Sequence, residues 1–311
     1  MSALGVTVII NNYNYGRYLS RAIESVLAQD YHAVDILVVD DGSTDNSRDV
    51  IAGYGERIGS ILKPNGGQAS AFNSGYRASR GEFICFLDSD DWFLPTKARR
   101  VAETFAAFPG AEWVFHPLET NFPNGTVECK PWMGTAFVDI RERAITRGKL
   151  SVLAPPTSGL CLARNLLNRL LPMPENIRIT SDNYLKFGAM ALAPGVYLAE
   201  ALAAQRIHSS NAYTLRADRL PLQARMHLLI AEGLSERHPQ LARLADKVFA
   251  KALADYVGAR ERNPSDRAIV SKYLAQAGFT RASNILARAG YHYAKNYVFR
   301  RVAQSRPKNE G

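Results

Sequence analysis

The segment FICFLDSDDW, residues 83–92, joins five apolar residues to a group of acids. Its first half, from Phe83 to Leu87, has the composition of a buried β-strand. Its second half places Asp88, Asp90 and Asp91 within four positions. Carboxylates this close repel one another and need a counter-charge. Because hard carboxylate oxygens without neighbouring His or Cys suit Mg²⁺ or Mn²⁺, the segment predicts a strand that ends in a divalent-cation site.

Helix capping is an alternative explanation for one of these acids. An Asp that precedes the segment PTKARRV, residues 95–101, would stabilise the N-terminus of a helix there. One cap needs one acid. Three acids in four residues exceed that need, so we favour metal or polar-ligand binding for the group as a whole.

Strand and helix patterns alternate through the first hundred residues. Strands that are apolar throughout and separated by helices form parallel sheets covered on both faces. The sequence therefore predicts a doubly wound α/β domain with a mostly parallel sheet flanked by helices. The predicted strands are 5–11, 34–40, 58–62 and 83–87, and the predicted helices are 17–29, 45–54, 68–79 and 97–108.

The patterns are weaker after residue 110. Asn124-Gly125, inside a Pro- and Gly-rich stretch, predicts the turn of a hairpin. The pattern from residue 219 onward is helical, with breaks at Pro239, Pro264 and Gly278. The remaining predictions are strands at 112–116, 157–163 and 195–207, a helix at 182–192, and C-terminal helices at 219–236, 240–262, 265–277 and 281–303.

The residues that follow the predicted strands are polar, Gly-bearing or acidic. They read NNYN (11–14), DDGSTD (40–45), KPNGGQ (63–68) and DSDD (88–91). Ligands of doubly wound sheets bind beyond the carboxyl ends of the strands, so these segments should share one edge. A turn and a helix cap explain residues 42–45 but leave Asp40 and Asp41 unexplained. Neither GxGxxG after the first strand nor GxxxxGK[ST] occurs, which disfavours nicotinamide chemistry and P-loop phosphoryl transfer.

Charge is distributed unevenly along the 311 residues. Residues 1–214 hold 20 Lys and Arg against 21 Asp and Glu, whereas residues 215–311 hold 18 against 8. This shift predicts one domain at 1–214 and a basic helical region at 215–311. Cys85, Cys129 and Cys161 lack CxxC spacing and are predicted to be small core residues. No apolar run of eighteen residues and no signal peptide is visible, which predicts a cytoplasmic protein.

Taken together, the ordered motifs of three segments closely resemble the family-2 glycosyltransferases of the GT-A fold. The segments are VTVIINNYNYGRYLSRAIESVLAQ, ILVVDDGSTDNS and NGGQASAFNSGYRASRGEFICFLDSDD, with a thinner match at ITSDNYL and RIHSSN. The resemblance is strong over residues 5–105, which it implies to be the nucleotide-sugar-binding half. It continues more thinly over 106–214, the implied acceptor and catalytic half.

The resemblance also implies roles for individual residues. Tyr13, and Asn11 near it, would border the nucleotide base, Asp41 would hold the base edge and Asp40 would support that loop. Asp88 and Asp90 occupy the DxD positions. The implied metal ligands are Asp90, Asp91 and His208, and the implied nucleotide-sugar contacts are Asn11, Tyr13, Asp40, Asp41, Gln68, Asp88 and Asp90.

Asp182 matches the position of the family's catalytic base, although relatives often carry Glu-Asp where this chain has Ser181-Asp182. Three of these assignments keep an alternative explanation. Asp182 is either the base or the cap of the helix that follows. His208 is either a metal or phosphate contact or a surface or satisfied histidine. Gln68 is either a ribose or phosphate contact or a polar residue at a helix N-terminus.

The implied activity is inverting, metal-dependent transfer of one sugar from a nucleotide-diphosphate sugar, with a UDP-sugar favoured, to an acceptor hydroxyl. Asn11-Asn12 replaces the family's commoner Pro-Thr, which leaves the base preference open. The absence of a Q-x-x-R-W segment disfavours a processive synthase. The expected acceptor is a saccharide or lipid-linked molecule of the bacterial cell envelope. Alternatives are a catalytically silent sugar-nucleotide-binding module and a sugar nucleotidyltransferase.

The basic region suggests a further partner. Arg281, Arg288 and Lys295 recur every seven residues, which keeps them near one face of a helix. A basic helix with aromatic residues suits the headgroup layer of an anionic membrane, and a solvated helical face is the alternative. The sequence therefore predicts either peripheral contact with the inner face of the plasma membrane or no membrane contact. No motif accompanies the charge to indicate nucleic-acid binding.

Overall fold

The computed structural model describes residues 5–129, 134–150, 154–209, 211, 216, 218–259 and 264–298. The chain divides into two compact units. Unit 1 comprises Met1–Glu142 and Leu150–Asn211, and unit 2 comprises Arg143–Lys149 and Ala212–Gly311. The segment Arg143–Lys149, which the sequence analysis placed in the first domain, thus belongs to unit 2. The predicted boundary at residue 214 lies outside the described residues.

A large sheet forms the centre of unit 1. Among the described residues its strand order is β3-β2-β1-β4-β10-β6-β11-β9. The pairs β1–β2, β1–β4, β2–β3 and β6–β11 are parallel. The strands are β1 (Val6–Asn12), β2 (Val34–Asp40), β3 (Gly59–Leu62), β4 (Phe83–Asp88), β6 (Trp113–Phe115), β9 (Ala136–Val138), β10 (Leu160–Ala163) and β11 (Gly195–Tyr197).

The sheet is mixed because β10 runs antiparallel to both of its neighbours, β4 and β6. The sequence analysis expected a mostly parallel sheet and gave no sign of this reversal. Leu160, Cys161 and Leu162 are wholly buried. An apolar strand of this kind has the same composition whichever way it runs, so composition alone cannot reveal its direction.

The helices of unit 1 form where apolar residues recur every three or four positions. In α1, Leu19, Ile23 and Val26 face the sheet and are buried. Bulky β-branched residues such as Ile9 and Ile10 fill the strand beneath, where their branched side chains pack well. The helices are α1 (Gly16–Leu27), α2 (Ser47–Gly53), α3 (Gln68–Ala78), α4 (Lys97–Ala107), α6 (Arg164–Leu170) and α7 (Asp182–Leu192), and α5 (Arg141–Arg147) crosses into unit 2.

A small second sheet has the order β5-β12-β7-β8, with β5 at Trp92–Phe93, β7 at Leu118–Asn121, β8 at Val127–Cys129 and β12 at Ala203–Arg206. β7 and β8 form the predicted hairpin, and Gly125 lies in the turn at φ +84°. The prediction of one strand at 195–207 was wrong. The chain leaves the large sheet after β11 and joins the small sheet at β12, so one apolar stretch serves two sheets.

Two of the three predicted core cysteines are buried. Cys85 and Cys161 face each other across β4 and β10, with their sulfur atoms 3.1 Å apart. The prediction was wrong for Cys129, which is exposed on β8. β8 is the edge strand of the small sheet next to β7, and all three of its residues are exposed.

Unit 2 is helical where it is described. Its helices are α8 (Arg219–Arg237), α9 (Ala242–Gly258) and α10 (Pro264–Tyr293). Stacked rings of Phe249 and Tyr273, with centroids 4.0 Å apart, lie in its core. Gly278 interrupts α10 at φ +72°, as the sequence predicted. Within the described ranges, no helix combines the length and the hydropathy needed to cross a bilayer.

Candidate active site

The predicted site residues at the ends of three strands lie on one edge of the large sheet. Asn11 of β1 is in register with Asp88 of β4, and Asn12 is in register with Asp40 of β2. Parallel pairing therefore brings the acids of DDGSTD and DSDD to opposite sides of β1. The oxygen Oδ1 of Asn11 is buried and has no hydrogen-bond partner among the residues that the structure describes. Tyr13, two residues later, is 47% exposed.

Asp40 is fully buried and organises the loop after β2. Its Oδ1 accepts a hydrogen bond from Asn12 Nδ2 at 3.0 Å, and its Oδ2 accepts one from the Ser43 backbone N–H at 3.1 Å. Arg48 pairs with the same Oδ2 at 3.2 Å. Ser43 Oγ in turn accepts the backbone N–H of Asn14 at 2.9 Å, which joins this loop to the end of β1. These contacts are the means by which Asp40 would support the loop.

Asp41 holds the neighbouring segment 63–67. Lys63 Nζ lies 2.5 Å from Oδ1, and the backbone N–H groups of Gly66 and Gly67 donate to Oδ1 and Oδ2 at 2.9 and 2.7 Å. Gly67 has φ +88°, and a Cβ atom there would lie 2.7 Å from Arg178 Cα, so only glycine fits. A carboxylate accepts about four hydrogen bonds, and three are used here. Base recognition by Asp41 stays a prediction.

Gln68 connects the end of β4 to the start of α7. Its Oε1 accepts hydrogen bonds from the Ser181 backbone N–H at 2.9 Å and from Ser181 Oγ at 3.0 Å. Its Nε2 lies 3.4 Å from Asp88 Oδ1. Because Ser181 directly precedes α7, this amide fixes the start of α7, where Asp182 lies, relative to the tip of β4. The predicted ribose or phosphate contact by Gln68 is not tested by these contacts.

Asp88 is one of the acids of this group whose pKa is raised by burial and by its neighbours. Burial, followed by the nearby carboxylates of Asp90 and Asp182, raises the pKa of Asp88 to about 7, although hydrogen bonds from Asn11 and Thr157 act in the opposite direction. Three carboxylates therefore influence one another at this strand tip. Positive charge brought to this point would relieve the repulsion.

Asp90 pairs with the residues that follow β12. His208 Nε2 and Asn211 Nδ2 each lie 3.0 Å from Asp90 Oδ2. The His208 ring packs against Tyr18, with centroids 4.5 Å apart. His208 is therefore buried, only 8% exposed, and paired with Asp90, which agrees with the alternative of a satisfied histidine and not with a surface one. Its role as a metal or phosphate contact stays a prediction.

Asp91 connects the acidic loop to two other segments. Its Oδ2 accepts a hydrogen bond from Ser158 Oγ at 2.7 Å, and its Oδ1 accepts the Arg206 backbone N–H at 3.0 Å. Burial, and then the carboxylates of Asp90 and Asp88, raise the pKa of Asp91. Both oxygens thus have structural partners, and direct metal ligation by Asp91 stays a prediction.

Asp182 begins α7 and pairs with a lysine one turn later. Lys186 Nζ lies 2.6 Å from Asp182 Oδ2 and donates to the Pro155 carbonyl at 3.1 Å. Both side chains are about nine-tenths buried. Asp182 is placed to influence Asp88 electrostatically. The side chain of Ser181, which directly precedes α7, makes no capping hydrogen bond, and Asp182 is the acid of the first turn. The role of Asp182 as the base stays a prediction.

The sequence analysis missed Lys97 and Ser158, which lie directly under the acidic loop. Lys97 is fully buried, donates to the Ser158 carbonyl at 2.7 Å and lies 3.5 Å from the centre of the Phe93 ring. Burial lowers the pKa of Lys97. Ser158 Oγ contacts the Asp88 backbone N–H at 3.2 Å as well as Asp91. In the sequence, Lys97 is one of three basic residues in PTKARR, and nothing there marks it as buried.

Comparison with known proteins identifies the group to which the chain is similar. The model of the family described as "Glycosyl transferase family 2" matches residues 7–122. An uncharacterized glycosyltransferase of Nostoc sp. is 40% identical over 212 residues, 66% of each chain. One of Rickettsia typhi is 41% identical over 92 residues, 30% of this chain and 29% of that protein. The chain thus spans less than two thirds of the length of these relatives.

Solved structures share the fold. S. aureus TarS 1–349 in complex with UDP-GlcNAc matches with a TM-score of 0.67 at 18% identity, over 97% of this chain and 92% of that chain. The complex of the same protein with UDP matches with a TM-score of 0.62 at 17% identity and the same coverage. The mixed sheet, its flanking helices and the C-terminal helices define a GT-A protein. The chain belongs to glycosyltransferase family 2.

Proposed function

We propose that the protein is an inverting, metal-dependent glycosyltransferase that moves one sugar from a UDP-sugar to an acceptor hydroxyl. The observation that supports this most directly is the position of Asp182. Gln68 joins the start of α7 to the tip of β4, and Asp182 acts electrostatically on Asp88. A donor held at the acidic tip would therefore have a buried carboxylate beside its reacting end.

The donor site would lie along the ends of β1, β2 and β4. Asn11 Oδ1 is a buried acceptor without a partner, and the backbone of segment 63–67 is already folded onto Asp41. Tyr13 offers an exposed ring for contact with the base. The bound UDP and UDP-GlcNAc of the TarS structures support a uridine nucleotide as the ligand of this edge.

The side chains present suit a divalent cation that is shared with the donor diphosphate. Asp90 Oδ2 and His208 Nε2, which are 3.0 Å apart, would both hold the cation. No three His, Cys, Asp or Glu side chains of the described residues converge on one ion. Phosphate and water oxygens would therefore complete the set, with Asp88 beside it, as is usual for Mg²⁺.

When bound, the cation supplies positive charge that offsets the charge on the departing diphosphate. Asp182 accepts the proton of the acceptor hydroxyl as that hydroxyl attacks the anomeric carbon from the face opposite the leaving group. Lys186 occupies Oδ2 of Asp182, so we assign Oδ1 as the proton acceptor. A single displacement of this kind inverts the configuration at the anomeric carbon. Asp91 and Ser158 keep the acidic loop in place.

The proposed acceptor is a saccharide or lipid-linked molecule of the bacterial cell envelope. The charge of unit 2 supports a location beside an anionic surface: Arg143, Arg147 and Lys149 join the 18 Lys and Arg and 8 Asp and Glu of residues 215–311, which gives this unit a net charge of +13. Exposed Phe279 and Tyr291 could add apolar contact with a membrane. Flotation with anionic liposomes tests this part separately, and failure to float would remove it.

The test of the main proposal is sugar transfer from a panel of UDP-, GDP- and dTDP-sugars, with and without Mn²⁺. We expect turnover of a UDP-sugar that requires the cation and gives a product with inverted anomeric configuration by NMR. Asp182→Asn should lose turnover and still bind donor. Asp35→Asn is the matched control, because Asp35 is exposed at the start of β2, away from the carboxyl ends of the strands.

Thermal unfolding gives a readout for the cation that does not depend on turnover. A ligand that binds only the folded state raises the unfolding temperature. Mn²⁺ and UDP together should raise it more than either alone, and Asp90→Asn should abolish the added effect. Donor binding without turnover in both wild type and Asp182→Asn would instead indicate a silent binding module.

A further inference from the structure

A cleft of about 700 Å³ opens within unit 2, between the end of α5, helix α9 and the second half of α10. Four cations besides Arg281 line the cleft, namely Arg147, Arg243, Lys247 and Arg288, together with one acid, Asp246. The cleft takes residues from three segments far apart in sequence. It is separate from the acids at the ends of β1, β2 and β4, which belong to unit 1.

The acid of the cleft is already neutralised. Arg281 makes two-pronged contact with Asp246, with Nε 2.8 Å from Oδ2 and Nη2 2.7 Å from Oδ1. This pair also corrects the expectation that Arg281 shares an exposed basic face with Arg288, because Arg281 is directed at α9. Within the described part of the chain, none of the four cations of the cleft forms an ion pair with a carboxylate.

Two of the four cations have a structural role. Arg243 Nη1 donates to the Thr146 carbonyl at 2.6 Å, and Lys247 Nζ donates to the Arg147 carbonyl. These contacts cap the C-terminal end of α5, where carbonyl groups lack helical partners. Capping accounts for Arg243 and Lys247, but not for the guanidinium groups of Arg147 and Arg288, which also line the cleft.

Like charges therefore accumulate around the cleft. Burial, then Arg288 and Lys149, lower the pKa of Lys247. Positive groups that disfavour one another's charge are stabilised by a bound anion. Arginine binds phosphate oxygens in a planar, two-pronged arrangement, and lysine adds a point charge.

We propose that this cleft is a phosphate-binding site, formed by Arg147 and Arg288 with the support of Arg243 and Lys247. The site takes a phosphate or diphosphate group, which either the headgroup of an anionic lipid or a soluble phosphate compound can supply. The assignment does not depend on the proposed sugar transfer, because none of its residues lies in unit 1.

The first experiment is calorimetric titration of the full chain with inorganic pyrophosphate, with saturating UDP present to occupy any nucleotide site. We expect binding by the wild type that weakens as salt increases. Arg147→Gln combined with Arg288→Gln should weaken it at least tenfold, since two charge-assisted contacts are removed. Arg237→Gln combined with Arg267→Gln removes the same charge from exposed residues outside the cleft lining and should leave affinity within twofold.

The second arm separates the two sources of phosphate. Vesicles of phosphatidylcholine with one third phosphatidylglycerol are compared with phosphatidylcholine alone in a sedimentation assay. Loss of vesicle binding in the cleft variant but not in the control variant assigns a lipid headgroup, whereas pyrophosphate binding without vesicle binding assigns a soluble phosphate. Absence of both, or equal binding by the cleft and control variants, overturns the proposal. Arg288→Gln alone serves if the double variant is unfolded by circular dichroism.

Discussion

Replacing Asp182 with Asn separates the chemistry of this carboxylate from its contact with Lys186. Asn keeps the shape and an acceptor oxygen for Lys186 Nζ, which lies 2.6 Å from Oδ2 in the wild type, but it is no longer a base. Loss of a general base lowers kcat about 100- to 10,000-fold, or about 3–5 kcal/mol of barrier. The Lys186 ammonium keeps an acceptor in Asn and a second one in the Pro155 carbonyl, so the loss of stability should stay below the roughly 3–5 kcal/mol that breaking a buried pair outright costs. The kinetic effect should therefore be clearly larger than the structural effect.

The assay measures kcat at saturating donor and acceptor, donor affinity by calorimetry, and the free energy of unfolding in urea. Lys186→Met provides the opposite pattern in the same pair. It leaves the carboxylate of Asp182 in place but removes its buried partner, and breaking such a pair costs about 3–5 kcal/mol of stability. We expect Lys186→Met to lose more stability and less turnover than Asp182→Asn.

Two results would refute this reasoning. A kcat for Asp182→Asn within twofold of the wild type would show that this carboxylate takes no proton in the rate-limiting step. A donor affinity that falls as far as kcat would show that Asp182 acts by holding the donor. Either result would move the base to another residue.

Three further predictions concern the support of the acidic loop. Asp88→Asn should raise the unfolding temperature above pH 7, because burial there penalises an ionised acid whose pKa is raised to about 7. This gain in unfolding temperature should shrink as pH falls from 7 towards 4, where the wild-type acid becomes protonated. An equal gain at pH 5 and at pH 8 would contradict the prediction. Lys97→Met leaves the buried Ser158 carbonyl unpaired and should lower the free energy of unfolding in urea by about 1–3 kcal/mol. Unchanged stability would show that this hydrogen bond contributes little. Gly67→Ala places a Cβ atom on a residue with φ +88° and close to Arg178. The strain should lower the free energy of unfolding by about 1–3 kcal/mol and raise the KM for the donor. Unchanged stability would mean that the loop relaxes around the new side chain.

The first hundred residues could be predicted because local and global signals agree there. β1, α1, β2 and α3 lie within two residues of their predicted bounds. Each is short, strongly patterned and followed by its own turn or cap residues, so periodicity alone locates it. The placement of Asn11, Asp40 and Asp88 on one edge followed from parallel pairing.

Contacts between distant segments could not be predicted in the same way. The direction of β10 and the change of sheet between β11 and β12 depend on pairing partners that composition does not specify. The burial of Lys97 depends on the Ser158 carbonyl, 61 residues away in the chain. The ion pair of Arg281 with Asp246 likewise depends on the packing of α10 against α9, whereas the heptad spacing of the basic residues was visible in the sequence.

The side-chain amide of Gln68 links the glycine segment 63–67 and the end of β4 to the start of α7. Gln68 directly follows the glycines whose backbone N–H groups donate to Asp41. Its side chain accepts a hydrogen bond from Ser181 and lies near Asp88. If the proposed nucleotide shifts the glycine segment, the adjacent Gln68 would pass that shift to the start of α7 through its contact with Ser181. Under the proposed function, donor binding and the alignment of Asp182 would therefore be linked, which favours ordered binding with the donor first.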